Sequence, residues 1–358
     1  MPHGAGRGGA TQEAATLTTA AALKAANAST RVVFYWKSDM AEQIIDCSNT
    51  SAAWAAHGKA WALRDDSGKP ITHGNNAPVF DTTVAAFQDF WVGHLVDMAQ
   101  STGADGTPLI DGFFIDGCIC TSSTTKVFPN VNPARTAKIC SATRAMLARG
   151  QAEVTALGRG QVVVWNALDS TAGLAQHAGA TLGSMVDHFA ALQFVNPQSG
   201  NWDAPKASLA DLIVNVTRSP LNADRMLQFK GWPGPLTHPW TWVNNSQPTT
   251  PAGLRAAAAA QLNATLAAFL LAADEQSWLG YSWFWSLGDW IPFGGDKGEQ
   301  TCPDNFYPAF ACPLGTPAGP PAQVGPGNVW QRRFASALVH VDLDVRVNSG
   351  VVWDRCAP

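Results

Sequence analysis

The sequence predicts an α/β fold, a (β/α)8 TIM-type barrel, on three observations. Short apolar runs alternate with longer amphipathic stretches along most of the chain, the order of a parallel sheet with helices outside it. Several of those runs end on a polar or acidic residue, which would stand on the C-terminal face where barrels carry their chemistry. The 358 residues also suit one barrel of about 250 residues with insertions.

Residues 1–10 are Gly-rich and polar and predict a disordered tail. Gly4, Gly6 and Gly9 match a dinucleotide-binding spacing, but no strand precedes them, so the match carries no weight. Residues 11–293 are assigned to the barrel. A helix over 12–27 leads into the strand Arg31-Val32-Val33-Phe34-Tyr35-Trp36. Trp61-Ala62-Leu63-Arg64 reads as a short strand that runs into the turn Asp65-Asp66-Ser67-Gly68. Asp81-Thr82-Thr83 opens a helix, in which Val84, Phe87, Trp91, Leu95 and Met98 form one apolar stripe. The next strand, 109–117, ends on Asp116, with Gly117 leaving the backbone beside it open. Asn132-Pro133 starts a helix that Gly158 and Gly160 end.

Further strands end on Asn166, on Asp187-His188, on Lys230 ahead of Trp232, and on Trp285 near Asp289. Helical stretches at 205–218 and 254–273 separate the later ones. These make six firm strands and one doubtful one, where a closed barrel has eight. Because the chain starts on a helix, the barrel is expected to lack its first strand. Residues 294–328 read as a Gly/Pro-rich loop, and 329–358 as a C-terminal β-hairpin packed on the barrel. In the hairpin Val339, Val341, Leu343, Val345 and Val347 alternate with polar residues before the turn Asn348-Ser349-Gly350.

Composition narrows the function. Hydrophobic content of 46% and charged content of 14% support a sizeable core. A net charge of −4 without a basic block leaves no electrostatic footprint for nucleic acid. No run of 18 apolar residues predicts a membrane span. Tryptophan is in excess, 15 against 3 tyrosines, which fits core filling and a cleft that stacks the flat faces of sugar rings. The seven cysteines lack zinc-site spacing. Cys302 with Cys312 is the expected disulfide, and Cys118 or Cys120 with Cys140 a second. Asn27, Asn49, Asn215, Asn244 and Asn263 head glycosylation acceptors, which with the cysteines point to a secretory route, although no export-signal core is visible.

Two strand-end carboxylates, Asp116 and Asp187, match what glycosidic cleavage requires. One carboxyl protonates the leaving oxygen, and the other, ionised, attacks the sugar or activates water. Trp36, Asp66, Asn166, Lys230, Trp232, Trp285 and Asp289 are the candidate substrate contacts. Asp81 suits a helix cap better than a sugar ligand. There is no Gly-x-Ser-x-Gly elbow, no Gly-x-x-x-x-Gly-Lys loop and no His-Glu-x-x-His, and the scattered histidines give no metal site. No cofactor is expected, and oligomeric state is not read from the chain. The alternatives are a carbohydrate-binding barrel without catalysis and a structural protein whose tryptophans only fill the core.

Phe34-Tyr35-Trp36, the segment from Trp61 to Gly68, the strand from Asp111 to Gly117 and the segment from Pro313 to Pro317 together resemble a family of glycoside-hydrolase-like TIM-barrel proteins. That family shows a helix leading to a Phe-Tyr-Trp strand, a Trp-x-Leu-Arg-Asp-x-x-Gly turn, an Asp-Gly-x-Phe-x-Asp-Gly strand and a late Pro-Leu-Gly-x-Pro element. The resemblance implies a barrel acting on carbohydrate, with Asp116 at the matching catalytic position. The two-strand spacing of Asp116 and Asp187 is also similar to the α-galactosidase and α-glucosidase clan.

Overall fold

The computed structural model describes residues 12–38, 56–73, 77–116, 128, 130–168, 170–189, 209–231, 251–281, 307–345, 348–354 and 356. Helix α1 (Gln12–Ala26) precedes strand β1 (Val33–Lys37) and a two-residue ladder of β2 (Thr72–His73) and β3 (Ala77–Pro78). Then come α2 (Ala85–Gln100), β4 (Gly112–Asp116), α3 (Pro133–Ala156), β5 (Val162–Trp165), α4 (Thr171–Ala178) and β6 (Gly183–Phe189). The chain continues through β7 (Met226–Gly231), α5 (Pro251–Ala272), β8 (Ser277–Tyr281), β9 (Ala322–Gln323), β10 (Val329–Phe334), β11 (Ala337–Asp342) and β12 (Gly350–Trp353). One sheet runs β1-β4-β5-β6-β7-β8, with every described pairing in it parallel. It is an α/β sheet of six strands, and no β8–β1 pairing closes it among the described residues. The chain divides within β6 into two compact units.

In the first unit, period-two alternation sorts the strand side chains by face. Phe34, Trp36, Phe113, Ile115, Val163 and Trp165 share one buried core with Phe87, Trp91 and Leu95 of α2 and Met146, Leu147 and Val154 of α3. The stripe expected on α2 is thus the one that is buried. Asn132 caps α3, its side-chain oxygen accepting from Arg135 N–H at 2.9 Å, and Pro133 takes the first helical position. Gly158 follows the helix with φ 69°. Gly112 has no room for a side chain, because a Cβ there would lie 2.8 Å from Val162 O.

Trp61–Arg64 is not a strand of the sheet. Trp61 closes a helical turn, and only isolated bridges, Ala62 to Phe80 and Arg64 to Pro70, follow it. Leu63 instead pairs its backbone with Val79 and Ile71. Asp81 heads a turn, accepting from Thr83 N–H at 3.0 Å, and α2 begins after Val84.

Asp111 braces the start of β4. Its Oδ2 accepts from Lys24 Nζ and from Val32 N–H, each at 2.7 Å, while its own N–H donates to Val32 O at 2.7 Å. Helix α1, β1 and β4 therefore meet at one carboxylate.

His94 of α2 lies 3.6 Å from Glu13 of α1, with the Trp36 ring stacked on it at 4.2 Å. Burial pushes the His94 imidazolium down to about 4, and Asp97 offsets part of that. The 3.6 Å gap to Glu13 is too long for a hydrogen bond, and desolvation prevails. Between pH 6.5 and about 4 the unfolded chain therefore binds more protons than the folded one. Stability is expected to hold above about pH 6.5 and to fall as pH drops toward 4, by up to about 3 kcal/mol. Urea midpoints on either side of that window check it, and a His94→Gln variant should flatten the dependence.

In the second unit β7 and β8 pair in parallel, and Phe229 meets Phe269 of α5 edge-on at 5.4 Å. The C-terminal segment is a four-stranded antiparallel sheet, β12-β11-β10-β9, in place of the expected lone hairpin. Strand β9 and a 3-10 turn at Pro308–Ala311 fall within residues expected to form the Gly/Pro-rich loop. This sheet packs on α5. Asn263 Oδ1 accepts from Val351 N–H at 3.0 Å, and the Arg332 guanidinium donates to the carbonyls of Leu270 and Ala273 at the helix end. Among the described residues α5 is the one helix long and apolar enough to cross a membrane, over Arg255–Ala272. Just over half of that stretch is buried inside the fold, as in a core helix.

Cys312 pairs with Cys356 rather than with Cys302. Spacing favoured the near neighbour, but Cys312 follows the 3-10 turn and meets the chain end beyond β12. Cys140 is disulfide-bonded as well. Cys302 lies outside the described residues.

Candidate active site

The register of three strands assembles the site. Lys37 is paired with Asp116 across β1 and β4, Ile115 with Trp165 across β4 and β5, and Asn166 N–H extends the second ladder to Ile115 O at 2.9 Å. Lys37, Asp116 and Asn166 thus stand side by side at the C-terminal strand ends. Phe34, Trp36, Phe113 and Ile115 face the helices, so Tyr35, Lys37, Phe114 and Asp116 take the other face. The rings of Tyr35 and Phe114 lie 5.7 Å apart there.

Asp116 is held from two sides. Tyr35 O–H donates to Oδ2 at 2.7 Å, Asn166 Nδ2 donates to Oδ1 at 3.0 Å, and Lys37 Nζ lies 3.9 Å from Oδ2. Two donors and one cation thus gather at the two carboxyl oxygens. Its side chain keeps 31% of its exposure, so a ligand can reach it, whereas Lys37 is largely covered at 12%. The strand-end backbone is fixed too. Ser38 N–H donates to Asp116 O at 3.0 Å, and Trp91 Nε1 donates to Lys37 O at 2.8 Å. Asn166 is itself aimed by Ala167 N–H, which donates to Oδ1 at 2.7 Å. Ala167 sits at φ 65°, in a region costing a non-glycine residue about 1–2 kcal/mol.

Of the residues expected at the site, Asp116 and Asn166 come together. Trp36 does not join them. It is buried in the helix-side core against His94, because it shares the parity of Phe34. Asp66 anchors α3 instead of facing a cleft, accepting from Asn132 N–H at 2.9 Å with Arg135 at 3.6 Å. Asp65 closes its own turn, and hydrogen bonds from Ser67 and Lys69 hold its carboxyl below the usual range. Lys230 is buried on β7, its stem beside Gly280 of β8. Asp187 lies in β6, with its side chain outside the described residues, as are Trp232, Trp285 and Asp289 entirely. Tyr35 and Lys37 were not singled out from the sequence. The alternation of Val33-Phe34-Tyr35-Trp36-Lys37 carried the signal, since it sets those two against the pair Phe34 and Trp36.

A family model described as hypothetical glycosyl hydrolase family 15 matches residues 24–338. No curated protein matches the chain. Among solved structures, the glycoside hydrolase domain of PelA from Pseudomonas aeruginosa is similar over 67% of this chain and 79% of its own, at 12% identity and a TM-score of 0.38. An alpha-amylase from Geobacillus thermoleovorans, solved with acarbose, is similar over 90% of this chain and 68% of its own, at 9% identity and a TM-score of 0.47. The maltogenic alpha-amylase AmyB from Thermotoga neapolitana is similar over 89% and 66%, at 12% identity and a TM-score of 0.40.

Proposed function

The chain belongs to hypothetical glycosyl hydrolase family 15, and on that premise we propose that it cleaves a glycosidic bond in an oligo- or polysaccharide. The observation that carries this reading is the reachable Asp116 carboxyl, held among Tyr35, Lys37 and Asn166. A carboxyl that accepts two hydrogen bonds beside a lysine suits attack on the sugar carbon or activation of water, and Asp116 is assigned that role. The general acid falls to a second carboxyl, and Asp187 on β6 is assigned that role. Trp232, Trp285 and Asp289 are assigned to the sugar, together with Lys230. The Cys312–Cys356 disulfide supports an oxidising, secretory setting.

Incubation with a panel of oligosaccharides, read by new reducing ends, tests the proposal. The anomer formed first, followed by NMR, separates retention from inversion. Retention would agree with carboxyl groups about 5–5.5 Å apart and inversion with roughly 6.5–9.5 Å. Saturable oligosaccharide binding with no product over days would make the protein a binding barrel instead.

A further inference from the structure

Ala167 is one of two non-glycine residues with positive φ among those described, and it directly follows the amide that meets Asp116. Alanine enters the left-handed region only when its surroundings impose it. Here both flanks are tied to strands: Asn166 N–H donates to Ile115 O, and Leu168 N–H to Met185 O, each at 2.9 Å. A side-chain amide can offer its nitrogen to an ionised carboxylate or its oxygen to a protonated carboxyl. With Asn166 Oδ1 occupied by Ala167 N–H at 2.7 Å, only Nδ2 is left to face Asp116.

We propose that the Ala167 corner is a conformational lock on the Asn166 amide, and that Asn166 is the positioning residue that keeps Asp116 a charged, correctly aimed acceptor. The proposal rests on the reading of Asp116 as the ionised catalytic carboxylate. Tyr35 and Lys37, both titratable and both from β1, face Asp116 at Oδ2. The neutral Asn166 amide meets it from just beyond β5, at Oδ1. The lock therefore acts on Oδ1, whereas the Tyr35 and Lys37 contacts are to Oδ2.

The experiment titrates the Asp116 carboxyl carbon by 13C NMR in the full chain, with its resonance assigned by its loss in Asp116→Asn. Asn166→Asp keeps the shape but sets a second carboxylate against the first, and should move the midpoint up by about one pH unit or more. Asn166→Ala should move it up by less. Ala167→Gly should move it in the same direction while Tm holds or rises, because the backbone no longer dictates the amide. The acid limb of kcat/KM on a cleaved glycoside should shift with the midpoint. If Asn166→Ala and Ala167→Gly both leave the midpoint in place, the lock is wrong even where hydrolysis proceeds. If they move it while the parent cleaves no glycoside, the lock stands and the hydrolase reading fails.

Discussion

Asp116→Asn is expected to lower glycoside turnover by at least ~1000-fold and to leave the melting temperature within about 6 °C of the parent. The large effect follows from the charge. The amide keeps the shape of the carboxylate but can neither attack a sugar carbon nor take a proton from water. The small effect follows from the contacts. Tyr35 can still donate to the remaining oxygen, while Asn166 loses its acceptor, one hydrogen bond of about 1 kcal/mol, and the Lys37 contact that is also lost is 3.9 Å long and partly exposed. Such pairs contribute at most about 1 kcal/mol. Parallel kcat/KM and melting measurements check both halves. A variant that melts like the parent and retains full turnover would remove Asp116 from the reaction.

The double variant Cys312→Ser/Cys356→Ser is expected to lose about 4 kcal/mol of stability in the second unit. The two cysteines are 44 residues apart and enclose β9 to β12. Cutting that link frees a long loop in the unfolded chain, and loop closure of this length has a cost of about that size. The corresponding fall in melting temperature is on the order of 10 °C. Differential scanning calorimetry of parent and variant reads it directly. The double variant is cleaner than adding reductant, because Cys140 is disulfide-bonded too. An unchanged melt would show that the α5 contacts alone hold the terminal sheet.

The parallel strands were legible because each is a short apolar run with a polar end. Strand β4 falls inside the expected 109–117, and β5 ends at Trp165, just before Asn166. Helices α2 and α3 were legible through a stripe of side chains and a Pro start. The terminal sheet was only half legible. Strand β11 alternates cleanly, but β10 carries Gln331, Arg332 and Arg333, and Arg332 serves the end of α5 rather than solvent. The segment Trp61–Arg64 misled because an apolar tetrapeptide can pack in a core without joining a sheet. At the site, Asp116 and Asn166 were visible as strand ends. Trp36 was chosen by residue type where parity along the strand decides. Cysteine pairing was beyond the sequence because it depends on where distant segments end up, as with Cys312 and Cys356.

The bracing of Asp111 has a bearing on chemistry five residues away, about 16 Å along the strand. The reciprocal bonds between Val32 and Asp111, with Lys24 added, let β1 and β4 meet in one alignment only. Slippage by a single residue would turn Phe34 and Trp36 toward Asp116 and send Tyr35 and Lys37 under the helices. The end of β4 that carries Asp116 is in that sense set at its opposite end, by a second aspartate.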